Sequence, residues 1–287
     1  MIFTDAHNVS KRFNTSPSKA GGILKALLLS LWQYRHFVRS SIQAEFRGRF
    51  ARSKLGALWM ILNPLAQATI FAIVLSEVLA AKLPNIDNKS AYAIYLMAGT
   101  AAWGLFAEIV TRCTTVFIDY SNTLKKIAFP RLCLPLIIGG SALLNHLLLL
   151  AAIGIVFLFF QHSPTLAWLV LPLGIALIVL FAFGLGILLG LLNVFSRDVG
   201  QVMGIVLQLW FWFTPVVYTV DTLPKKFAFL LELNPMTPLV RIYQNALLYG
   251  KFPAMHDLIL PSMISIGVFV FSFWIFRRAS TDLVDAL

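Results

Sequence analysis

Charge is scarce in this 287-residue chain: Asp, Glu, Lys and Arg make up only 12% of it, against 59% hydrophobic residues. A soluble globular domain carries about twice that charged share, so the composition places the chain in a bilayer. Cysteine is nearly absent. Cys113 and Cys133 both lie in or beside apolar runs, which offers neither a disulfide framework nor a metal-ligand spacing, and they read as packing residues. No G-x-x-x-x-G-K-[ST] occurs, the sole Gly-Lys pair being Gly250-Lys251 followed by Phe252; nucleotide binding through a P-loop is excluded. Phe183 to Gly190, FGLGILLG, misses the G-x-G-x-x-G spacing inside an apolar run, and Gly186 with Gly190 reads instead as a small-residue helix contact. The five histidines are dispersed, with no H-E-x-x-H and no carboxylate cluster. No catalytic residue, metal site or cofactor of the chain's own is therefore expected. The first 57 residues lack the apolar core of a secretory leader, so none is expected to be cleaved.

What the chain does have is long apolar runs. About 20 such residues span the ~30 Å of hydrocarbon, and six stretches qualify: Leu58 to Ala81, Tyr92 to Phe117, Leu132 to Phe160, Leu166 to Val194, Val199 to Val220 and Leu258 to Phe276. They lack the short alternation of a membrane barrel, so the expected fold is an all-α integral membrane protein of six transmembrane helices. The second run carries Glu108 and Arg112, whose i, i+4 spacing lets them pair on one face. His146, within the third, reads as a hydrogen-bonded structural histidine or as a proton relay. Ahead of the first run, Leu24, Leu27, Leu28, Leu31, Val38 and Ile42 fall near helical spacing with Lys25, Arg35 and Arg39 between them. That pattern suits an amphipathic helix lying at the headgroups, or a soluble helix packed on a partner. The organisation expected is a tail with this helix over 1–57, a membrane domain over 58–276 and a short tail over 277–287.

The net charge is +11, yet the basic residues are scattered between apolar runs, which argues for membrane orientation and against nucleic acid. With the N-terminus inside, only Lys82, Lys89, Lys225, Lys226, Arg241 and Lys251 of the 23 Lys and Arg residues fall on the outer side. Both termini are accordingly expected in the cytoplasm. The segment from Asp221 to Asp257 then faces out. Its helical patterns break at Asn234-Pro235 and at Pro238, too short for a further crossing, which fits two short re-entrant helices or a plain outer cap. Aromatic residues are dense in QLWFWFTPVVY: Trp210, Phe211, Trp212, Phe213 and Tyr218, joined from other runs by Trp59, Tyr95, Trp103 and Phe106. Such rings suit the apolar faces of sugars, and equally an interfacial belt with ordinary packing. LKKIAFPR, with Lys125, Lys126, Ile127, Phe129, Pro130 and Arg131, and the turn Ser196, Arg197 and Asp198 face the cytoplasm in this topology. The first reads as a contact for another protein, with Phe129 inserting into that partner, or as a lipid anchor.

Four stretches carry a resemblance: EFRGRFARSKLGALWMILNPL, NTLKKIAFPRLCLPL, SRDVGQVMGIVLQLWFWFTPVVY and ELNPMTPLVRIYQNALLYG. Together they resemble the membrane subunit of a type-2 ABC exporter, and more narrowly the permeases that export O-antigen, capsule and teichoic acid polysaccharides. The likeness runs from about Ser41 to Phe276. It implies a bacterial inner-membrane permease that pairs with a second copy of itself and with two copies of a P-loop ATPase, which binds ATP and Mg. It also implies that an undecaprenyl-linked glycan is moved outward, that the LKKIAFPR and SRD segments dock or flank the ATPase, and that Asn234, Pro235 and Pro238 belong to an outer gate. Glu108 and the Asn145-His146 pair depart from that pattern. The competing expectations are a permease for a drug or small amphiphile, and a membrane glycosyl- or acyltransferase, which would need converging carboxylates or histidines.

Overall fold

The computed structural model describes residues 32–50, 54–59, 62, 66, 89–126, 129–159, 162–220, 229 and 231–279. Among them the chain forms α1 (Arg35–Phe50), α2 (Lys89–Asp119), α3 (Ser121–Lys126), α4 (Cys133–Phe159), α5 (Leu171–Phe195), α6 (Asp198–Trp212), α7 (Met236–Gln244) and α8 (Met255–Ala279), with no strand. Four helices are long and apolar enough to cross a bilayer: Ala91–Asp119, Cys133–Phe157, Leu166–Phe195 and Met255–Ala279. These coincide with the second, third, fourth and sixth expected spans. All of the first expected span except Leu58, Trp59, Leu62 and Ala66, most of the expected amphipathic stretch before Arg35, and Ile127 lie outside the described residues.

The fifth expected span differs. It is helical only as α6, whose 15 residues reach about 22 Å at 1.5 Å per residue. Pro215 has no N–H to continue the ladder, and residues 213–220 fold instead into a turn. Every backbone group freed there needs a partner if it is buried, and other helices supply them. Tyr92 donates to the Val217 carbonyl at 2.7 Å, Gln244 to the Pro215 carbonyl at 3.0 Å, and the Tyr95 hydroxyl lies 3.0 and 2.9 Å from the Pro215 and Tyr218 carbonyls.

Glycine permits the closest helix approach. A Cβ on Gly186 would sit 2.6 Å from Cys113 Cβ, and one on Gly190 2.5 Å from the Cys113 carbonyl oxygen, so the predicted small-residue contact is where α5 meets α2. One turn or more away, the Phe106 and Phe181 rings stack with centroids 5.4 Å apart. Residue numbers rise together along the contact, so α2 and α5 run parallel. The same holds for α8, which meets Gly184 at Phe269 and Phe117 at Phe276. Because α4 returns from the end of α2, one end of the bundle collects Lys125, Phe129 to Arg131, Ser196 to Asp198, and Arg277 with Arg278. The opposite end holds α7 and the 213–220 turn.

Helix α1 is held against the bundle by apolar and ionic contacts together. A Cβ on Gly140 would lie 2.4 Å from Ile42 Cδ1, which marks the crossing of α1 and α4. Beside it, Arg112 Nη2 binds Glu45 Oε1, and Arg112 Nη1 binds Glu108 Oε1 at 3.3 Å. Ser141 donates to Glu45 at 3.1 Å and Asn145 to Glu108 at 3.3 Å. The i, i+4 pair expected from sequence is thus part of a polar cluster joining three helices. His146, at 2.9 Å from the Tyr243 hydroxyl, bridges α4 to α7.

Candidate functional site

The aromatic residues separate by environment. Trp103, Phe106, Trp210 and Phe211 come together, with Phe181 from α5 added: Phe106 lies 5.3 Å from Trp210 and Trp103 5.7 Å from Phe211, both edge-on. Within this group Phe106 is fully enclosed, at 0% exposure, and the Trp210 indole donates to Asn234 Oδ1 at 2.8 Å. Tyr95 is buried and occupied with the 213–220 turn, and the Tyr218 hydroxyl donates to the Trp212 carbonyl. Trp59, Trp212 and Phe213 are exposed, Trp212 with its ring edge-on to Phe211 at 5.6 Å.

Trp103 and Phe211 also reach a cleft of about 340 Å³ between α2 and α6. Thr100, Gly104, Ala107 and Thr111 line it from α2, and Gly204, Leu207 and Gln208 from α6. Positions 100, 104, 107 and 111 share one helical face. A Cβ on Gly104 or Gly204 would meet nothing within 4 Å, so these glycines serve no close contact among the described residues and leave the wall smooth. Sequence reasoning missed this stripe; small and hydroxyl residues at helical spacing inside an apolar run were its signal. The cleft offers aromatic ring surface, hydroxyls and an amide, which can bind polyols.

At the far end, Asn234 organises the break seen in the sequence. Its Oδ1 accepts from Trp210 Nε1 at 2.8 Å and from the Met236 N–H at 2.9 Å. Its Nδ2 is 2.9 Å from the Phe213 carbonyl and 2.9 Å from Thr214 Oγ1. All this occurs at 8% exposure. Pro235 caps α7, and Pro238 falls in its first turn, where a missing N–H costs the helix nothing. Gly250, at φ 59°, closes the following turn in the left-handed region that glycine tolerates.

At the opposite end, Lys125 is exposed on the six-residue α3. The Phe129 ring is half-buried, with its centroid 5.6 Å from that of Phe37 on α1. Pro130 and Arg131 lead into α4, the Cys133 N–H bonding the Pro130 carbonyl at 2.9 Å. Ser196, Arg197 and Asp198 are exposed at the α5–α6 corner. Asn193 shapes that corner, donating to the Thr114 carbonyl at 2.9 Å and accepting from the Gly200 N–H at 2.8 Å. Among the described residues no group of three or more His, Cys, Asp or Glu is placed to hold a metal.

Long apolar helices, a lateral cleft of small and polar groups, and short exposed elements gathered at one end are the features of a helical transport subunit. Residues 36–248 match the ABC-2 type transporter family, and the chain belongs to that family of ABC permeases. Among curated relatives, the chain is 30% identical over 213 residues to the O-antigen export system permease protein RfbA of Klebsiella pneumoniae, covering 72% of this chain and 78% of that one. It is 26% identical over 263 residues to RfbA of Myxococcus xanthus, covering 91% and 99%. It is 24% identical over 210 residues to the polysialic acid transport protein KpsM of Escherichia coli, covering 72% and 79%.

Proposed function

We propose that this chain is the permease of an ATP-driven exporter of lipid-linked polysaccharide, with O-antigen as the cargo, in a bacterial inner membrane. The supporting observation is the α2/α6 cleft, which Phe211 and the largely buried Trp103 line with apolar ring surface suited to sugars while Thr100, Thr111 and Gln208 offer groups to their hydroxyls. A path that moves a polymer benefits from contacts that are numerous and weak, and smooth glycine walls fit that need. Two copies would face each other across the path. The exposed apolar side of α6, with Val202, Ile205, Leu209 and Trp212, is suited to being covered by the second copy or by lipid. Six spans per copy, an outer gate built on Asn234, Pro235 and Pro238, and both termini in the cytoplasm complete the reading.

In this reading Gly104→Trp obstructs the route without disturbing the fold, because a side chain at Gly104 meets none of the described residues. Surface polymer should fall to background while the amount of extractable, folded permease stays unchanged. Normal export by that variant would remove the cleft from the path.

Power would come from a partner ATPase that binds ATP and Mg and docks two copies against α3 and the Ser196–Asp198 corner. Phe129 then ties the docking segment to α1 through Phe37, so that movement of α3 carries the interface helix with it. Phe129→Ala should cost the fold about 1 kcal/mol for a half-buried ring. The permease should remain inserted while ATPase co-purification weakens or hydrolysis runs without export. If this variant binds its ATPase and exports normally, the segment is a membrane anchor.

A further inference from the structure

Between α1 and α4 lies a cleft of about 490 Å³, lined by Arg35, Val38, Arg39, Ile42, Gln43, Leu136, Gly140 and Leu144. Its shape follows from the helix crossing. Ile42 and Gly140 are in closest contact, and the space beside this closed floor has Leu136 and Leu144 as apolar walls. Both leucines are more than a third exposed, so the walls are unfilled by the described residues. The rim has the opposite character. Arg35 and Arg39 are one helical turn apart on the same face of α1, and both are exposed. Arg35 is already oriented: Nη1 donates to the Trp32 carbonyl at 2.9 Å, and its guanidinium sits 4.8 Å from the Trp32 ring centre. Trp32 is itself 66% exposed, the habit of an indole at a membrane interface. Glu45, the sole acidic residue of α1, is engaged with Arg112 and Ser141, and neither rim arginine has an ion-pair partner among the described residues.

An apolar wedge ending in two guanidiniums that no described carboxylate neutralises is complementary to one molecular shape in a bilayer, an acyl chain ending in a phosphate. We propose that this wedge binds an anionic glycerophospholipid, with one acyl chain lying along Leu136 and Leu144 and the phosphate held by Arg35 and Arg39. The lipid fills the gap beside the Ile42–Gly140 crossing and fastens α1 to the bundle from the membrane side, as Glu45 and Arg112 do from within. Arginine suits this role because its fork grips a phosphate through two N–H groups. The site is independent of the transported cargo and needs no movement of the spans.

The test is native mass spectrometry of the full-length permease in detergent, after delipidation and addition of phosphatidylglycerol, phosphatidylcholine or inorganic phosphate. The wild-type chain should retain phosphatidylglycerol in preference to phosphatidylcholine and should be indifferent to inorganic phosphate. Arg35→Gln with Arg39→Gln should lower that occupancy about thirtyfold, two cationic contacts at the membrane surface being lost. Val38→Phe keeps both charges and fills the wedge, and should lower occupancy as well. Either variant retaining phosphatidylglycerol like the wild type would overturn the proposal. So would equal retention of phosphatidylcholine, competition by inorganic phosphate, or recovery of a polyprenyl diphosphate as the bound species in place of a phospholipid.

Discussion

Asn234→Ala is expected to lower stability by about 3 kcal/mol, because four buried or part-buried groups lose a hydrogen bond at once, each costing about 1 kcal/mol and less where a second partner remains, as for the Thr214 hydroxyl on the Trp210 carbonyl. The groups are the Trp210 indole, the Met236 N–H, the Phe213 carbonyl and the Thr214 hydroxyl. Alanine brings no replacement, and at 8% exposure water offers little. The consequence spreads to the cleft. Asn234 pins the chain where α6 ends and α7 begins, so its loss frees the end of α6 that carries Phe211. Thermal unfolding of the detergent-solubilised protein should shift down by several degrees or more, and export should fail with it. Leu233→Ala, at a neighbouring residue that is 63% exposed, serves as the control and should leave both unchanged. Wild-type unfolding temperature and export in Asn234→Ala would show that the break at Asn234-Pro235 is held by other contacts.

Arg112→Met carries the second large effect. It removes the guanidinium that Glu45 and Glu108 share, leaving two carboxylates close together in the bundle. Breaking a fully buried pair costs about 3–5 kcal/mol; these side chains are between 20% and 27% exposed, so water offsets part of that and about 2 kcal/mol is expected. The loss should fall on α1, which the Glu45 contact attaches to α2. A double-mutant cycle with Glu45→Gln and Arg112→Gln separates the link from its parts. The combined variant should be more stable than the sum of the single changes predicts, by about 1 kcal/mol. Simple additivity would mean that the Glu45–Arg112 link does not help to hold α1.

Much of the architecture was legible because the quantities that define it are local. A run of apolar residues reports its own solvent, so four of the six expected spans coincide with long apolar helices. Glu108 and Arg112 were recognisable as a pair because i, i+4 positions of a helix adjoin whatever surrounds them. The fifth span was misjudged in length for an equally local reason read too weakly. Pro215 ends α6, and apolar composition up to Val220 concealed that the chain after it is a turn stitched to Tyr92, Tyr95 and Gln244.

The candidate cleft was half legible. The aromatic run drew attention to the right region, but Phe106 and Phe211 look alike as letters. One is enclosed between Phe181 and Trp210 and the other borders open space. Thr100, Gly104 and Thr111 were overlooked since a small residue reads the same whether it admits a neighbouring helix, as Gly186 does for Cys113, or meets none of the described residues, as Gly104 does.

Composition and periodicity by themselves determined that this chain is helical and lives in a membrane. They also determined that its basic residues fall between the apolar runs, and that the segment from Asp221 to Asp257 breaks at Asn234-Pro235. These follow from the solvent each segment prefers and from backbone groups a proline lacks, and neither depends on a distant partner. Tertiary structure alone decided which rings are core and which border the cleft, which groups Asn234 binds, and how α1 is fastened. The Glu45 contacts with Arg112 and Ser141 join residues 67 and 96 positions apart, and no pattern along the chain encodes such a pairing. It arises where Gly140 lets α1 and α4 cross closely enough for the charges to meet.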